Sequence, residues 1–321
     1  MTQAQGEIFD IGYQHYDGPR GGRLRAVWAL WVNGFRTTLG LGRGALAKLL
    51  PFGMLIATVA PAAGILILAA ILGPEEDLIP SHEDYYELIA ILLLLFSAII
   101  APELLIPDRR NGVINLYLVR PLTAMDYVAA RWAAFLALSL ILVYSGQVFL
   151  LIGFLLTASD PVDYLRDNWL DIPKFLAAGA LVALFVTTIP LAVSAFTTRR
   201  AYAAAVVIAV FVISLPVAGA LTSQSCEYEF TATTTSDGTT IESSSMGDCE
   251  RVTGDLAKWF TLLDVGRAPI HMSDMIFGSE SEDDIAEVRN ELHDSIPILW
   301  YALLVLGPGA LLLYRYRRMT I

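Results

Sequence analysis

The stretch LLPFGMLIATVAPAAGILILAAIL, from Leu49 to Leu72, holds 24 residues without one charged side chain. At about 1.5 Å per residue such a helix spans a hydrocarbon core of about 30 Å. Its two prolines, Pro51 and Pro61, are tolerable inside a membrane bundle, where neighbouring groups take up the freed backbone carbonyls. Working outward, five more segments read the same way: 85–106, 132–156, 175–196, 201–221 and 296–314. The second is the weakest, interrupted near its end by Pro102 and Glu103. The composition agrees, with 55% hydrophobic against 17% charged residues and a mean hydropathy of +0.58. A soluble fold could not bury so much apolar surface. A net charge of −11 also excludes a nucleic-acid partner, which needs a basic face. The expected class is all-α integral membrane, with residues 1–48 as a cytoplasmic N-terminus and 49–321 as one six-span domain.

Orientation follows from the basic residues. Arg20, Arg23, Arg25, Arg36, Arg43 and Lys48 precede the first span, and Arg109, Arg110, Arg120 and Arg131 follow the second. Arg199 and Arg200 follow the fourth, and Arg315, Arg317 and Arg318 end the chain. These fifteen of 21 basic residues fall on one side when both termini are cytoplasmic. The other side collects acids, among them Glu75, Glu76, Asp77, Glu83 and Asp84. The N-terminal segment is too polar and arginine-rich for a cleavable secretory signal, so a multi-pass plasma-membrane protein is expected, inserted through its own helices.

Three soluble parts carry patterns. In 24–46, Leu24, Val27, Trp28, Trp31, Phe35 and Leu39 recur at helical offsets beside Arg25, Arg36 and Arg43. A basic amphipathic helix bearing Trp28, Trp31 and Arg36 suits the headgroup plane. Residues 107–131 read PDRRNGVINLYLVRPLTAMDYVAAR. There Asn111-Gly112 is a turn signal, Val113–Val119 is a short apolar helix or strand, and Arg120-Pro121 closes it. Thr123 is an N-cap candidate, with Asp126 in the first turn where the helix dipole favours an acid. This segment is either a knuckle that transmits force from a soluble partner or a plain positive-inside loop, and the residues alone leave both open. The outer loop, 222–295, contains Cys226 and Cys249 around a Ser/Thr/Gly-rich stretch. On an extracytoplasmic face a disulfide is the default, worth roughly 3 kcal/mol in the entropic model. Beyond it, 255–265 and 281–294 read as surface helices, which makes this loop helical overall.

Catalytic chemistry is missing. The histidines, His15, His82, His271 and His293, lie outside the spans, and no zinc-binding H-E-x-x-H or phosphate-binding G-x-x-x-x-G-K-[ST] pattern occurs. The chain is expected to be no enzyme, to hold no cofactor or metal of its own, and to take energy from another subunit. Tyr144, Gln147 and Thr187 are polar groups in spans that could line a pathway, though interhelical hydrogen bonding explains them equally. Glu103 reads as an interfacial charge paired with Arg109 or Arg110, or else as a gate.

The array of six spans, interfacial helix, cytoplasmic knuckle and outer helical loop resembles the type-2 permease family of ATP-binding-cassette (ABC) transporters. Tyr16-Asp17-Gly18-Pro19-Arg20 is similar to the entry before the first span in one branch of that family. Glu103, then Asp108-Arg109-Arg110-Asn111-Gly112, Arg120-Pro121-Leu122-Thr123 and Asp126-Tyr127, is similar to that branch's pattern around its coupling helix. The Cys226–Cys249 insert departs from it, being longer and more polar. The resemblance implies that Asp108, Arg109, Arg110, Gly112, Arg120, Pro121, Asp126 and Tyr127 couple the spans to a cytoplasmic ATPase that binds ATP and Mg. It further implies a second permease half, identical or not, and transport outward through the bilayer. Charge reversal at Asp108 or Arg109 is then expected to uncouple hydrolysis from transport. The alternative is a non-transporting anchor or force-transmitting subunit using the same kind of ATPase. A secondary carrier would need an intramembrane ionisable pair and repeated broken helices, and neither is seen.

Overall fold

The computed structural model of the protein describes residues 18, 21–42, 44–72, 80–119, 122–158, 160–234, 240–279 and 284–318; for 46, 115, 118, 119 and 226–249 only the backbone is described. Six helices among them are long and apolar enough to cross a membrane. They are α2 (Ala45–Leu72), α3 (Asp84–Arg110), α5 (Ala124–Thr157), α7 (Asp171–Phe196), α8 (Arg200–Thr222) and α12 (Ser295–Arg317). Before them runs α1 (Arg23–Thr38), and between α3 and α5 lies α4 (Val113–Val119). Between α5 and α7 lies the short α6 (Pro161–Asp167), which the hydropathy pattern had not suggested.

The centre of the bundle is α3 with α7. About two thirds of their apolar windows are buried, 67% and 61%, against 17–22% for α2, α8 and α12. Tyr85, Tyr86, Ile89, Leu93 and Leu104 of α3 are wholly enclosed, as are Phe135, Leu142 and Leu150 of α5 and Phe185 of α7. Close approach needs small residues. A Cβ placed on Gly146 would meet the Tyr85 hydroxyl at 2.0 Å, and one on Gly153 would meet Leu66 at 2.1 Å. The peripheral helices turn large aliphatics outward, among them Ile56, Ile71, Leu303 and Leu306. That belt has no counterpart in a water-soluble surface and suits hydrocarbon.

Several boundaries differ from the sequence reading. The second span is unbroken, because α3 passes through Pro102 and Pro107 to Arg110. Proline removes one N–H and one intrahelical bond, and here buried Pro102 sits in a packed bundle that holds the rod in line. The third span begins eight residues earlier, at Ala124. Its 34 residues extend about 50 Å, more than a hydrocarbon core of about 30 Å needs. The N-terminal helix ends at Thr38 rather than reaching 46. Gly40 and Gly42 follow with φ +67° and +85°, left-handed values that glycine adopts without steric cost.

The 222–295 loop is less helical than expected. It opens with an antiparallel hairpin, β1 (Gln224–Thr234) and β2 (Thr240–Arg251), which has a register irregularity after Cys226. The Ser/Thr-rich composition around the two cysteines suits these strands, since β-branched side chains favour the pleated backbone. The 255–265 segment is broken into α9 (Ala257–Phe260) between two 3-10 turns. A further helix, α10 (Ala268–Phe277), went unread, and within 281–294 the helix α11 runs only over Asp284–Asn290. The α11 helix is not a free acidic surface, because Ile285, Ala286, Val288 and Arg289 are buried.

Candidate functional site

At the arginine-rich end of the bundle, α3 stops because Asn111 and Gly112 turn the chain. The Asn111 amide donates to Pro107 and the Gly112 amide to Arg109, and Gly112 takes φ +68°, a conformation that strains residues with a Cβ. The chain restarts at once as α4, a helix and not a strand. Ile114 and Tyr117, three apart, turn inward; Ile114 is buried and Tyr117 stacks on Tyr127 of α5 at 6.0 Å. Leu116 points the other way and is 74% exposed. Among the described residues, the knuckle therefore keeps the Leu116 side chain outside the bundle.

Beneath α4 lies a polar hub. Asp108 Oδ2 accepts from the Tyr127 hydroxyl at 2.8 Å and from Arg131 at 2.6 Å. Arg131 also donates to Asn33 Oδ1 of α1 at 3.0 Å and lies 5.7 Å from the centre of the Tyr127 ring. Tyr316 of α12 packs against the same ring at 5.5 Å. Tyr127 and Arg131 are enclosed, 0% and 3% exposed, so the pair sits in low dielectric where the charge-assisted bonds are strong. Five helices meet there.

The N-terminal helix is pinned to α5 at two further points. Arg23 grips both oxygens of Asp126 at 2.9 Å each, a bidentate geometry that fixes orientation as well as contact. Asp126 also completes a capping box with Thr123. Gly34 of α1 faces Ala134 so closely that a Cβ there would lie 2.9 Å from the alanine methyl.

Arg109 serves a different helix end. It donates to the carbonyls of Ser194, Ala195 and Thr197, the orphan acceptors at the C-terminus of α7. A cation there also complements the helix dipole. Glu103 pairs with Arg200 at the start of α8, so the Arg109 or Arg110 partnership read from sequence gives way to a contact 97 positions along the chain. Sequence neighbours about two turns away lose because helix α3 directs Arg109 toward α7.

The residues singled out by sequence therefore divide. Asp108 and Tyr127 are joined directly, and Asp126, the residue before Tyr127, is held in its own clamp with Arg23. Arg110 and Gly112 are exposed; Arg120 and Pro121 lie outside the described residues, as do Tyr16, Asp17, Pro19 and Arg20. Trp28 and Trp31 stack at 4.8 Å, with Trp28 62% exposed and Arg36 facing out. Of the polar span residues, Tyr144 and Thr187 bond across helices and Gln147 bonds to the turn before α3. Gln147 exchanges two hydrogen bonds with His82, Tyr144 donates to the Leu176 carbonyl, and Thr187 donates to Ser139. Cys226 stands opposite Cys249 in the hairpin register.

Arg131, Asn33 and Arg23 were missed. Arg131 had been counted among the positive-inside loop charges, yet it is buried within α5. One signal was available: Tyr127 and Arg131 are four apart and share a helix face.

Compared with known families, residues 4–311 match the family described as ABC-2 family transporter protein. No curated protein matches the chain.

Proposed function

Because the chain belongs to the ABC-2 family of transporter proteins, as a multi-pass permease subunit of an ABC transporter, we propose that it exports a solute when driven by separate cytoplasmic ATPase subunits. ATP and Mg are bound on those partners. In this reading α4 is the coupling helix, and Asp108, Arg109, Arg110, Gly112, Arg120, Pro121, Asp126 and Tyr127 form the segment around it. Both termini face the cytoplasm, in the plasma membrane, and a second permease half completes the pathway.

The observation that carries the reading is the exposed Leu116 on a helix whose inner face is bound to the spans through Tyr117, Tyr127 and Asp108. A push on α4 reaches α1, α3, α5 and α12 through one buried hub, so a rigid-body tilt of the bundle needs no other lever. Asp108 and Arg109 transmit from inside, since their side chains are engaged with their own chain. The surface that meets the ATPase is then Leu116 with Arg110, and charge reversal at Asp108 or Arg109 acts on packing first.

The test is Leu116→Asp in the complex. Seating a leucine is worth roughly 1.5–3 kcal/mol, so the tagged permease should retain the ATPase at least about tenfold less well while still inserting. Undiminished retention and coupled hydrolysis would refute α4 as the docking helix. Export direction is read in inverted vesicles, where ATP should drive uptake of the copurified solute.

We also propose a Cys226–Cys249 disulfide, supported by the facing register of the two strands, which sets the two residues directly opposite each other. Mass measurement after alkylation, with and without reductant, should show two thiols only when reductant is present.

A further inference from the structure

A cleft of about 850 Å³ opens at the arginine-rich end, between the ends of α3 and α12, the start of α4 and the start of α8. Arg109, Arg110, Arg199, Arg200 and Arg315 line it, together with aliphatic walls from Ile106, Ile114 and Ala201. Its charge is poorly balanced. Arg200 has Glu103, and Arg109 has only neutral carbonyls. Among the described residues no carboxylate lies within ion-pair distance of Arg110, Arg199 or Arg315. Arg199 lies over the Tyr202 ring at 5.5 Å and Arg315 over Phe196 at 5.9 Å. Helix α8 adds its own field, because its N-cap, Arg199, contributes no side-chain cap. Its first amides and the positive end of a 23-residue dipole therefore face the same space.

We propose that this cleft binds the phosphate headgroup of an anionic phospholipid from the adjoining leaflet. Uncompensated guanidinium groups beside uncapped amides select a phosphate. The aliphatic walls and the volume exceed what a free phosphate fills and suit a glycerolipid. The location agrees: Phe196 and Tyr202 are 55% and 59% exposed beside the cleft, as aromatic side chains are at a membrane interface. One to two turns deeper, Val206 and Leu311 begin the exposed aliphatic belt. A bound headgroup would tie α3, α8 and α12 together at the end where α4 sits. The assignment of the leaflet as cytoplasmic rests on the orientation proposed above; the site itself rests on the cleft.

The experiment is lipid titration of the purified permease–ATPase complex by native mass spectrometry, with phosphatidylglycerol against phosphatidylcholine. Each cation near a membrane surface contributes about fivefold in binding. The double variant Arg199→Gln/Arg315→Gln should therefore hold phosphatidylglycerol about thirtyfold less tightly, and Arg199→Lys/Arg315→Lys should regain most of the loss. Equal retention of the two lipids by the wild type, or unchanged affinity in the glutamine variant, would overturn the proposal. Displacement of the lipid by millimolar inorganic phosphate or glycerol phosphate would reassign the cleft to a soluble anion. Lipid bound only by the permease freed of its ATPase would assign it to the partner. None of these readouts depends on transport, so failure here leaves the exporter reading standing.

Discussion

Arg131, two turns into α5, holds Asp108 at the end of α3 at 2.6 Å, with the guanidinium only 3% exposed. Through Asn33 and Tyr127 the same pair binds α1 and α5. An ion pair so placed contributes order more than net stability, because desolvation offsets much of the attraction. What it does decide is the cost of losing one member.

Removing Asp108 should leave Arg131 buried without its counter-charge, at about 3–5 kcal/mol. Removing Arg131 should cost less, because the half-buried Asp108 keeps its bond from Tyr127. Asp108→Ala and Arg131→Met are expected to lower the thermal unfolding midpoint of the purified complex markedly. The double variant should cost less than the sum of the two, by about 1–3 kcal/mol. Strict additivity would mean that the pair is not the organising contact.

Gly34→Ala tests how α1 is held. The added methyl would stand 2.9 Å from the Ala134 Cβ, and overpacking of this kind costs about 1–3 kcal/mol. That exceeds the 0.5–1 kcal/mol that alanine gains over glycine within a helix. Faster hydrogen exchange across Arg23–Thr38 is expected, with Ala134→Gly restoring protection. An α1 as protected as in the wild type would show that the close approach is not what docks it.

On α10, outside the spans, two groups shift in opposite directions. Burial, with Glu87 and Glu83 nearby, pushes the Asp274 carboxyl up to about 6. Burial and Arg289 push His271 down to about 4. Asp274 therefore gives stability that is present below its unfolded value near 4 and is lost as pH rises through 6. His271 gives the reverse, since the unfolded imidazole binds a proton below about 6.5 that the folded one refuses. Between pH 4 and 6.5 the two oppose each other. In His271→Gln the unfolding midpoint should fall as pH rises across that window, and in Asp274→Asn it should rise. Parallel profiles for the two variants would contradict these shifts.

Much of the architecture was legible because hydrocarbon imposes a coarse rule. Six apolar runs of sufficient length had to become helices, since no other backbone satisfies its own hydrogen bonds there. Thr123 and Asp126 announced the start of α5 through local capping chemistry. The strands of the hairpin were less visible because Ser and Thr suit strands and loops alike. Pro102 misled for a related reason: proline weakens an isolated helix, and a packed bundle supplies what it removes.

The candidate site was only partly written in the chain. Sequence alone marked the turn at Asn111-Gly112 and the cap at Thr123, because turn and cap chemistry act over a few residues. It left open whether the segment between them is a knuckle or a plain loop. Tertiary structure decided that Arg131 is an internal strut, that Arg109 caps α7, and that Glu103 answers to Arg200. Charged side chains choose partners by distance through space, and contacts separated by 23 to 103 positions leave no local trace in the order of residues. The same holds for the arginine-lined cleft, whose walls come from four helices that meet only once the bundle is packed.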